Sequence, residues 1–415
     1  MPKLKAPVKI ADQWLRQILL VLYQKRHLTR IEIAEITGLN SASVSHALTH
    51  LLNRGLLLKT GEMQSEGRRR REVFDLNAEA GYFIGVDLEG DRIRFALTNF
   101  VGDIRCRWEC PLEFREPLDP STVIEGIRRV SRDAAETGSR RILAIGVSYP
   151  GMLDPNGNLV AVNLGWAGCG LVESLKLAFP LWPVFLESDK DTCILAESWR
   201  GAAVYRNALF LIAEGGIGLG ILVDGRLVRG MRGLTGEIGH WKVLPDADDA
   251  CNCGGRGCLE AIASSPNIIR QYVEAEGNRE SPRAVRITEV FEKARQGNLA
   301  ARTVIERAGR ALGLALSHAI SLLNPEVVIL GGDLIAAEDI LVPLIWEEIA
   351  RRTLPVSTER LLLRVSSLGL DIRLRGAVSL AFRSILQDAV LLKALGTMSL
   401  PREKRSTFSL QEALT

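Results

Sequence analysis

Apolar residues near the start of the chain recur at helical spacing. Leu15, Ile18, Leu19 and Leu22 fall on one face and predict a helix over 10–25. Thr29-Arg30-Ile31-Glu32 has the form of a capping box, which opens a short helix ending before Gly38. Asn40 or Ser41 caps a third helix that carries Val44, Leu48, Leu51 and Leu52 on one side, and Gly55 stops it. Leu56 to Lys59 and Glu72 to Leu76 predict two strands around a polar tip containing Gly61 and Gly67.

From residue 81 the pattern changes to buried strands separated by helices. Tyr82 to Leu88, Ile93 to Thr98, Ile142 to Val147, Val184 to Leu186, Leu209 to Ala213 and Val327 to Leu330 predict strands. Asp224-Gly225 predicts a hairpin turn and 298–322 a long helix. This alternation implies an α/β fold with ligand loops at strand ends. No solenoid-length repeat or low-complexity tract is present, and Leu400 to Thr415 reads as a frayed polar tail.

The 415 residues suggest two or three domains, and 47% apolar with 24% charged residues excludes a mostly disordered chain. Charge is unevenly placed. Residues 1–80 hold 13 Lys/Arg against 8 Asp/Glu, whereas the remainder holds 39 against 41. A basic N-terminal segment on a slightly acidic body points to an anionic partner, nucleic acid first. No apolar run reaches the ~18 residues of a membrane helix, and no stretch makes a convincing signal peptide. The expectation is a cytoplasmic protein without membrane insertion, whose seven cysteines are metal ligands or buried apolar residues rather than disulfides.

Helix, tight turn, helix and hairpin is the plan of a winged helix-turn-helix over 1–80. The second helix of such a pair enters the major groove of double-stranded DNA. Its outward positions are expected to include Ser41, Ser43, Ser45, His46 and Thr49, short groups suited to phosphates and base edges. The hairpin tip carries Arg68, Arg69, Arg70 and Arg71, which suit phosphate contact or minor-groove insertion. A small protein-binding domain with a solvated arginine run is the bland alternative.

His240, Cys251, Cys253 and Cys258 lie within 19 residues. Three thiolates and an imidazole complete a tetrahedral Zn²⁺ shell, and a closed shell argues for one structural ion per chain. Free thiols in a loop are the alternative. Cys106, Cys110, Cys169 and Cys193 read as core or surface residues.

The stretch Gly216-Ile217-Gly218-Leu219-Gly220, then Gly225, Gly230, Gly236-Glu237-Ile238-Gly239-His240 and the cysteine cluster ending Cys258-Leu259-Glu260, resembles the ROK family of sugar-responsive repressors and sugar kinases. The winged helix in front places the resemblance with the repressor branch. It implies a two-lobed actin/hexokinase-like (ribonuclease H-like) body: a smaller lobe of 81–190 plus 376–400, a larger lobe of 191–375 with the zinc site, and a tail of 401–415. It also implies a sugar cleft between the lobes and a homodimer or dimer of dimers.

Position by position, Asp189 matches the kinase base, here a vestigial one. Ser188 stands where asparagine is usual. Glu237, His240 and Glu260 match sugar-hydroxyl ligands, and Pro150-Gly151 and Asn163-Leu164-Gly165-Trp166 match loops bordering the sugar, with an aromatic beside the polar groups. The phosphate side departs from the family pattern. In Asp87-Leu88-Glu89-Gly90-Asp91 two acids replace a glycine and a threonine, and Glu214-Gly215-Gly216 lacks a threonine; Gly331-Gly332 still resembles the adenosine loop. Carboxylates facing a triphosphate cost several kcal/mol unless bridged. The expectation is a DNA-binding regulator of carbohydrate genes, most simply a repressor, controlled by a sugar or sugar derivative. An ATP-dependent sugar kinase with an appended DNA-binding domain is the alternative, and a regulator controlled by a protein partner is a third.

Overall fold

The computed structural model describes residues 10–64, 70–113, 116–136, 141–161, 164–200, 205–231, 233–245, 247–277 and 282–397. It divides into two compact units, Met1–Ala80 with Ser384–Thr415, and Gly81–Arg383.

The first unit contains α1 (Ile10–Lys25), β1 (Leu28–Thr29), α2 (Arg30–Thr37), α3 (Ser41–Asn53), β2 (Leu57–Gln64) and β3 (Arg70–Leu76). Ile18, Leu19, Leu22, Ile33, Val44, Leu48 and Leu51 close a common core. Each helix start is explained by its cap. Thr29 and Glu32 form both bonds of a capping box before α2, and the Asn40 side chain accepts from Ser43 N before α3. Gly38 adopts the left-handed conformation that ends α2. The hairpin β2–β3 is antiparallel, with β1 on its other edge. Its base is pinned by Asp75, which accepts 2.6 and 2.8 Å bonds from Arg26. A helix over Ala389–Thr397 belongs to this unit, where Lys393 lies 3.5 Å from Asp12. The sequence expectation put 376–400 in the smaller lobe; residues from Ser384 onward group instead with the N-terminal unit.

The second unit holds two five-stranded sheets. The first comprises β4 (Tyr82–Leu88), β5 (Arg92–Asn99), β6 (Ile104–Pro111), β7 (Ile142–Tyr149) and β11 (Val184–Ser188), in the order β11-β7-β4-β5-β6. A small antiparallel sheet of β8 (Met152–Leu153), β9 (Leu159–Ala161) and β10 (Trp166–Cys169) lies between β7 and β11 in the chain. Helices α4 (Pro120–Glu136), α5 (Leu171–Ala178) and α6 (Asp189–Arg200) belong to this half of the sequence.

The second sheet comprises β12 (Ala208–Ala213), β13 (Ile217–Val223), β14 (Arg226–Leu227), β15 (Val327–Gly332) and β16 (Leu362–Val365), in the order β14-β13-β12-β15-β16. Around it are α7 (Leu259–Ala263), α8 (Ser265–Ala275), α9 (Ile287–Arg295), α10 (Leu299–Leu323), α11 (Glu338–Arg352) and α12 (Pro355–Thr358), followed by α13 (Ile372–Gln387). Both sheets start with a central strand, pair it antiparallel with the next, and add two parallel strands on the other side. The duplication is topological, and no sequence repeat announces it.

In open α/β sheets, ligands gather beyond the carboxyl ends of the parallel strands. Here those ends carry Asp87 on β4, Ser148 and Tyr149 on β7, Ser188 followed by Asp189 after β11, Glu214 after β12 and Gly332 on β15. Helix α13 lies directly on the first sheet. A side chain on Gly146 would run into the Ala377 carbonyl, so only glycine lets the helix approach so closely.

Candidate binding cleft and metal centre

His240 closes the turn Ile238–His240, and the three cysteines follow in a loop folded by Cys251 N to Gly255 O and Gly254 N to Cys251 O bonds of 2.9 Å. The ligand atoms of His240, Cys251, Cys253 and Cys258 all lie within 4.8 Å of one another. His240 Nδ1 is 3.6 Å from Cys251 Sγ, and Cys253 Sγ is 3.7 Å from Cys258 Sγ. Tetrahedral bonds of about 2.3 Å to sulfur and about 2.0–2.1 Å to nitrogen require edges of roughly 3.8 Å between sulfurs and 3.6 Å from sulfur to nitrogen. The donor set and its spacing therefore suit a metal ion. Lys242 donates to Cys258 Sγ at 2.7 Å, a contact the sequence did not reveal.

The loop leads directly into α7. Cys258 immediately precedes α7, and Glu260 in its first turn is 5% exposed, with Oε2 accepting from Ile217 N at 3.1 Å. Gly236 has φ 82° and stands where any Cβ would strike the Leu219 carbonyl, so it turns Glu237 and the following residues back along β13. Ser188 is buried, and Asp189 opens α6 with Oδ1 accepting from Lys190 N. Burial pushes the Asp189 carboxyl up, against the pull of Arg373 and Lys190.

Three charged residues in this half escaped the sequence reading. Lys190 is 3% exposed, and its ammonium lies 2.9 Å from Glu237 Oε1 and 3.3 Å from Ser188 Oγ. Burial alone would lower its pKa, but Glu237 and Asp191 overcome that and raise it. Asp191 is pushed up to about 7, first by burial and then by the Glu187 carboxylate. Glu187 accepts from Arg229 Nε at 2.5 Å. No periodicity marks a lysine or an aspartate as buried, or an arginine as its neighbour's partner.

Trp166 is a correction. Its ring is 2% exposed among core residues of the first sheet, so it offers no stacking face to a ligand. Pro150-Gly151 follows β7, where Gly151 has φ 77°; Asn163 lies outside the described residues, and Leu164 packs over Gly90.

The opposite half is occupied by the chain's own ion pairs. Arg373 from α13 donates to Glu214 at 2.6 Å and to Glu89 at 2.8 Å, and its Nε lies 3.3 Å from Asp87. Arg94, directly opposite Asp87 across β4 and β5, reaches Asp87 at 2.7 Å and Glu89 at 2.5 Å. Asp87 is fully buried. Burial raises Glu214, and Arg373 opposes that shift. The expected repulsion between bare acids is thus bridged internally by two arginines. Asp91 is a further correction: its side chain is 61% exposed and pairs with Arg92 at 2.9 Å, so it does not join the cluster.

In the N-terminal unit, Ser41, His46 and Thr49 are exposed on α3, and Ser45 is half-buried. Ser43 is buried at 7% and cannot present its hydroxyl to a ligand, because the helix turns that position into the core. Ser45 Oγ and Thr49 Oγ1 donate to the carbonyls one turn earlier, Ser41 and Ser45. Arg71 is exposed on β3, Arg70 begins that strand, and Arg68 and Arg69 lie outside the described residues. Among the described residues no helix is long and apolar enough to cross a membrane.

Residues 83–384 match the ROK family. A xylose repressor from Caldicellulosiruptor bescii is 28% identical over 327 residues, covering 76% of this chain and 81% of that protein. A glucokinase from Halalkalibacterium halodurans is 30% identical over 307 residues, covering 70% and 92%. Among solved structures, a ROK family transcriptional regulator described as a homologue of the Escherichia coli MLC protein superposes with a TM-score of 0.76 at 26% identity, covering 93% of this chain and 99% of that one.

Proposed function

The chain belongs to the ROK family, and from that premise we propose that it is a sugar-responsive DNA-binding transcriptional repressor and not a kinase. The observation that carries this reading is the phosphate half of the cleft. Where a nucleotide triphosphate would need donors, Arg373 and Arg94 are already committed to Asp87, Glu89 and Glu214. A sugar half is supported by Lys190 joining Ser188 to Glu237 and by Glu260 held on Ile217 N; with Asp189 and His240 these would supply carboxylate acceptors for hydroxyl groups.

The first unit is read as a winged helix-turn-helix in which α3 enters the major groove of double-stranded operator DNA. Ser41, His46 and Thr49 face the bases, and the hairpin arginines lie along the phosphates. A homodimer places two such units on a two-fold operator. The four-residue cluster holds one structural Zn²⁺, with His240, Cys251, Cys253 and Cys258 as its closed shell. The ion would fix the His240 ring and the chain path to Glu260. Sugar binding changes operator affinity only if the sugar prefers one state of the body.

The kinase reading draws on the glucokinase relative and on Asp189, a carboxylate at the end of a parallel strand. One experiment separates the two. Gel shifts on DNA upstream of the protein's own gene are run with and without D-xylose, D-glucose and N-acetylglucosamine, beside a coupled assay for sugar phosphorylation. The expected result is sequence-preferring binding that one sugar alters, with no ATP turnover. Binding without sequence preference, or phosphorylation lost in Asp189→Asn, overturns the proposal.

A further inference from the structure

We infer that Lys190 orients Glu237 toward the ligand, and that the acids around this pair restrict the site to uncharged sugars. The inference rests on the sugar-binding reading above. Lys190 follows Asp189 in the first turn of α6, and its aliphatic stem lies against β13. A Cβ on Gly218 would come within 3.0 Å of Lys190 Cδ, so the glycine strand leaves the room the stem occupies. The ammonium ends between Glu237 Oε1 at 2.9 Å and Ser188 Oγ at 3.3 Å. These are two of the five side chains assigned to the sugar.

Burying an ammonium is costly unless it is paired and hydrogen-bonded. This chain buries one beside a carboxylate that is not itself buried, since the Glu237 side chain remains 37% exposed. One edge of Glu237 is therefore fixed by Lys190 while the rest stays accessible to a ligand. A carboxylate held this way accepts a ligand hydroxyl without first losing its own rotational freedom.

The charges around this pair point to the ligand class. Lys190 also interacts with Asp191 and Asp189. Arg229 is taken by Glu187. Glu260 adds a further carboxylate, and Arg373, which also acts on Asp189, is paired with Asp87, Glu89 and Glu214, so carboxyl groups outnumber cations around the sugar half. A phosphate or carboxylate on the ligand would meet net negative charge, whereas a neutral polyol can donate hydroxyls to the acids.

Isothermal titration of the zinc-loaded full chain tests this with D-glucose, D-xylose, N-acetylglucosamine and glucose 6-phosphate. At least one uncharged sugar should bind, and glucose 6-phosphate should bind about tenfold or more weakly than glucose. Lys190→Met and Glu237→Gln should each weaken the sugar about tenfold, the loss expected for a charge-assisted hydrogen bond. The double variant should be no weaker than the weaker single, because both act through one pair. Lys190→Gln, which keeps a donor without the charge, must weaken binding as well and replaces Lys190→Met should that variant not fold. Unchanged affinity in a folded Lys190 variant, or additive losses in the double, overturns the positioning role. Tighter binding of glucose 6-phosphate overturns the ligand class. Silence of the wild type toward every probe overturns the sugar reading itself, and the inference with it.

Discussion

The two halves of the cleft proposed above each draw on the strand ends of both sheets, yet their charges are spent differently. In the phosphate half, two arginines are consumed by three carboxylates of the chain, with Asp87 fully buried. In the sugar half, one lysine holds one edge of Glu237, and acids outnumber cations. The first arrangement satisfies itself; the second still offers acceptors. A carboxylate at a strand end therefore says little until its partner is known, and the partner can come from a helix far away in sequence, as Arg373 does for Asp87.

The largest expected effect falls on the sugar half. Cys258 is fully buried and leads straight into α7 and Glu260. Cys258→Ser removes one of four ligands from the Zn²⁺ site proposed above. Metal binding and folding are linked, and structural sites are worth about 10 kcal/mol or more in small zinc peptides. The variant should lose its metal, bind no sugar and melt well below the wild type. Metal analysis and thermal unfolding check this, and a variant equally stable without metal would detach the sugar half from the cluster.

Next in size is the phosphate half. Arg373→Met leaves Asp87 and Glu89 with Arg94, and Glu89 also with Arg92 at 3.6 Å, while Glu214 loses its ion pair with Arg373. Breaking a buried ion pair by removing one partner costs about 3–5 kcal/mol. Chemical denaturation should show a loss of that order, and adding Glu214→Gln should recover part of it because one unpaired acid is then neutral. No loss would mean that the arginine cluster does not hold this half together.

Much of this architecture was legible in the chain. The capping box at Thr29 and Glu32, the Asn40 cap and the long helix after Asn298 follow from local chemistry that tertiary structure does not override. The cysteine spacing located the His/Cys cluster because its three cysteines sit within one short loop and His240 lies only 11 residues before the first of them. What stayed hidden was long-range. Arg373 lies 286 residues from Asp87, and neither residue carries a pattern that points to the other. Ser43 looked outward on a list of short polar side chains, but helical phase turns it inward. Trp166 looked like a sugar platform by type, and burial assigns it to the core. Lys190 was missed because lysine is among the residues least often buried.

The smallest expected effect concerns the floor of the sugar half. Asp191 is 2% exposed, faces Glu187, Lys190, Ser188 and Arg229, and has its pKa raised to about 7. An aspartate in the unfolded chain titrates near 3.9. Below about pH 4 the carboxyl is protonated in both states and does not affect stability. Between there and 7 the unfolded chain ionises while the folded one keeps its proton, so stability falls as pH rises, and the penalty is complete above 7. Asp191→Asn should therefore be more stable than the wild type at pH 8 by on the order of 2 kcal/mol, with the difference shrinking as the pH falls toward 5. Asp189, Glu197 and Glu214 are also raised by burial and remain in the variant. The difference between the two unfolding curves thus reports Asp191 together with its coupling to Lys190 and Glu187. A constant difference across that window would mean that Asp191 is ionised throughout, and that Lys190 is shared between two full carboxylates rather than committed mainly to Glu237.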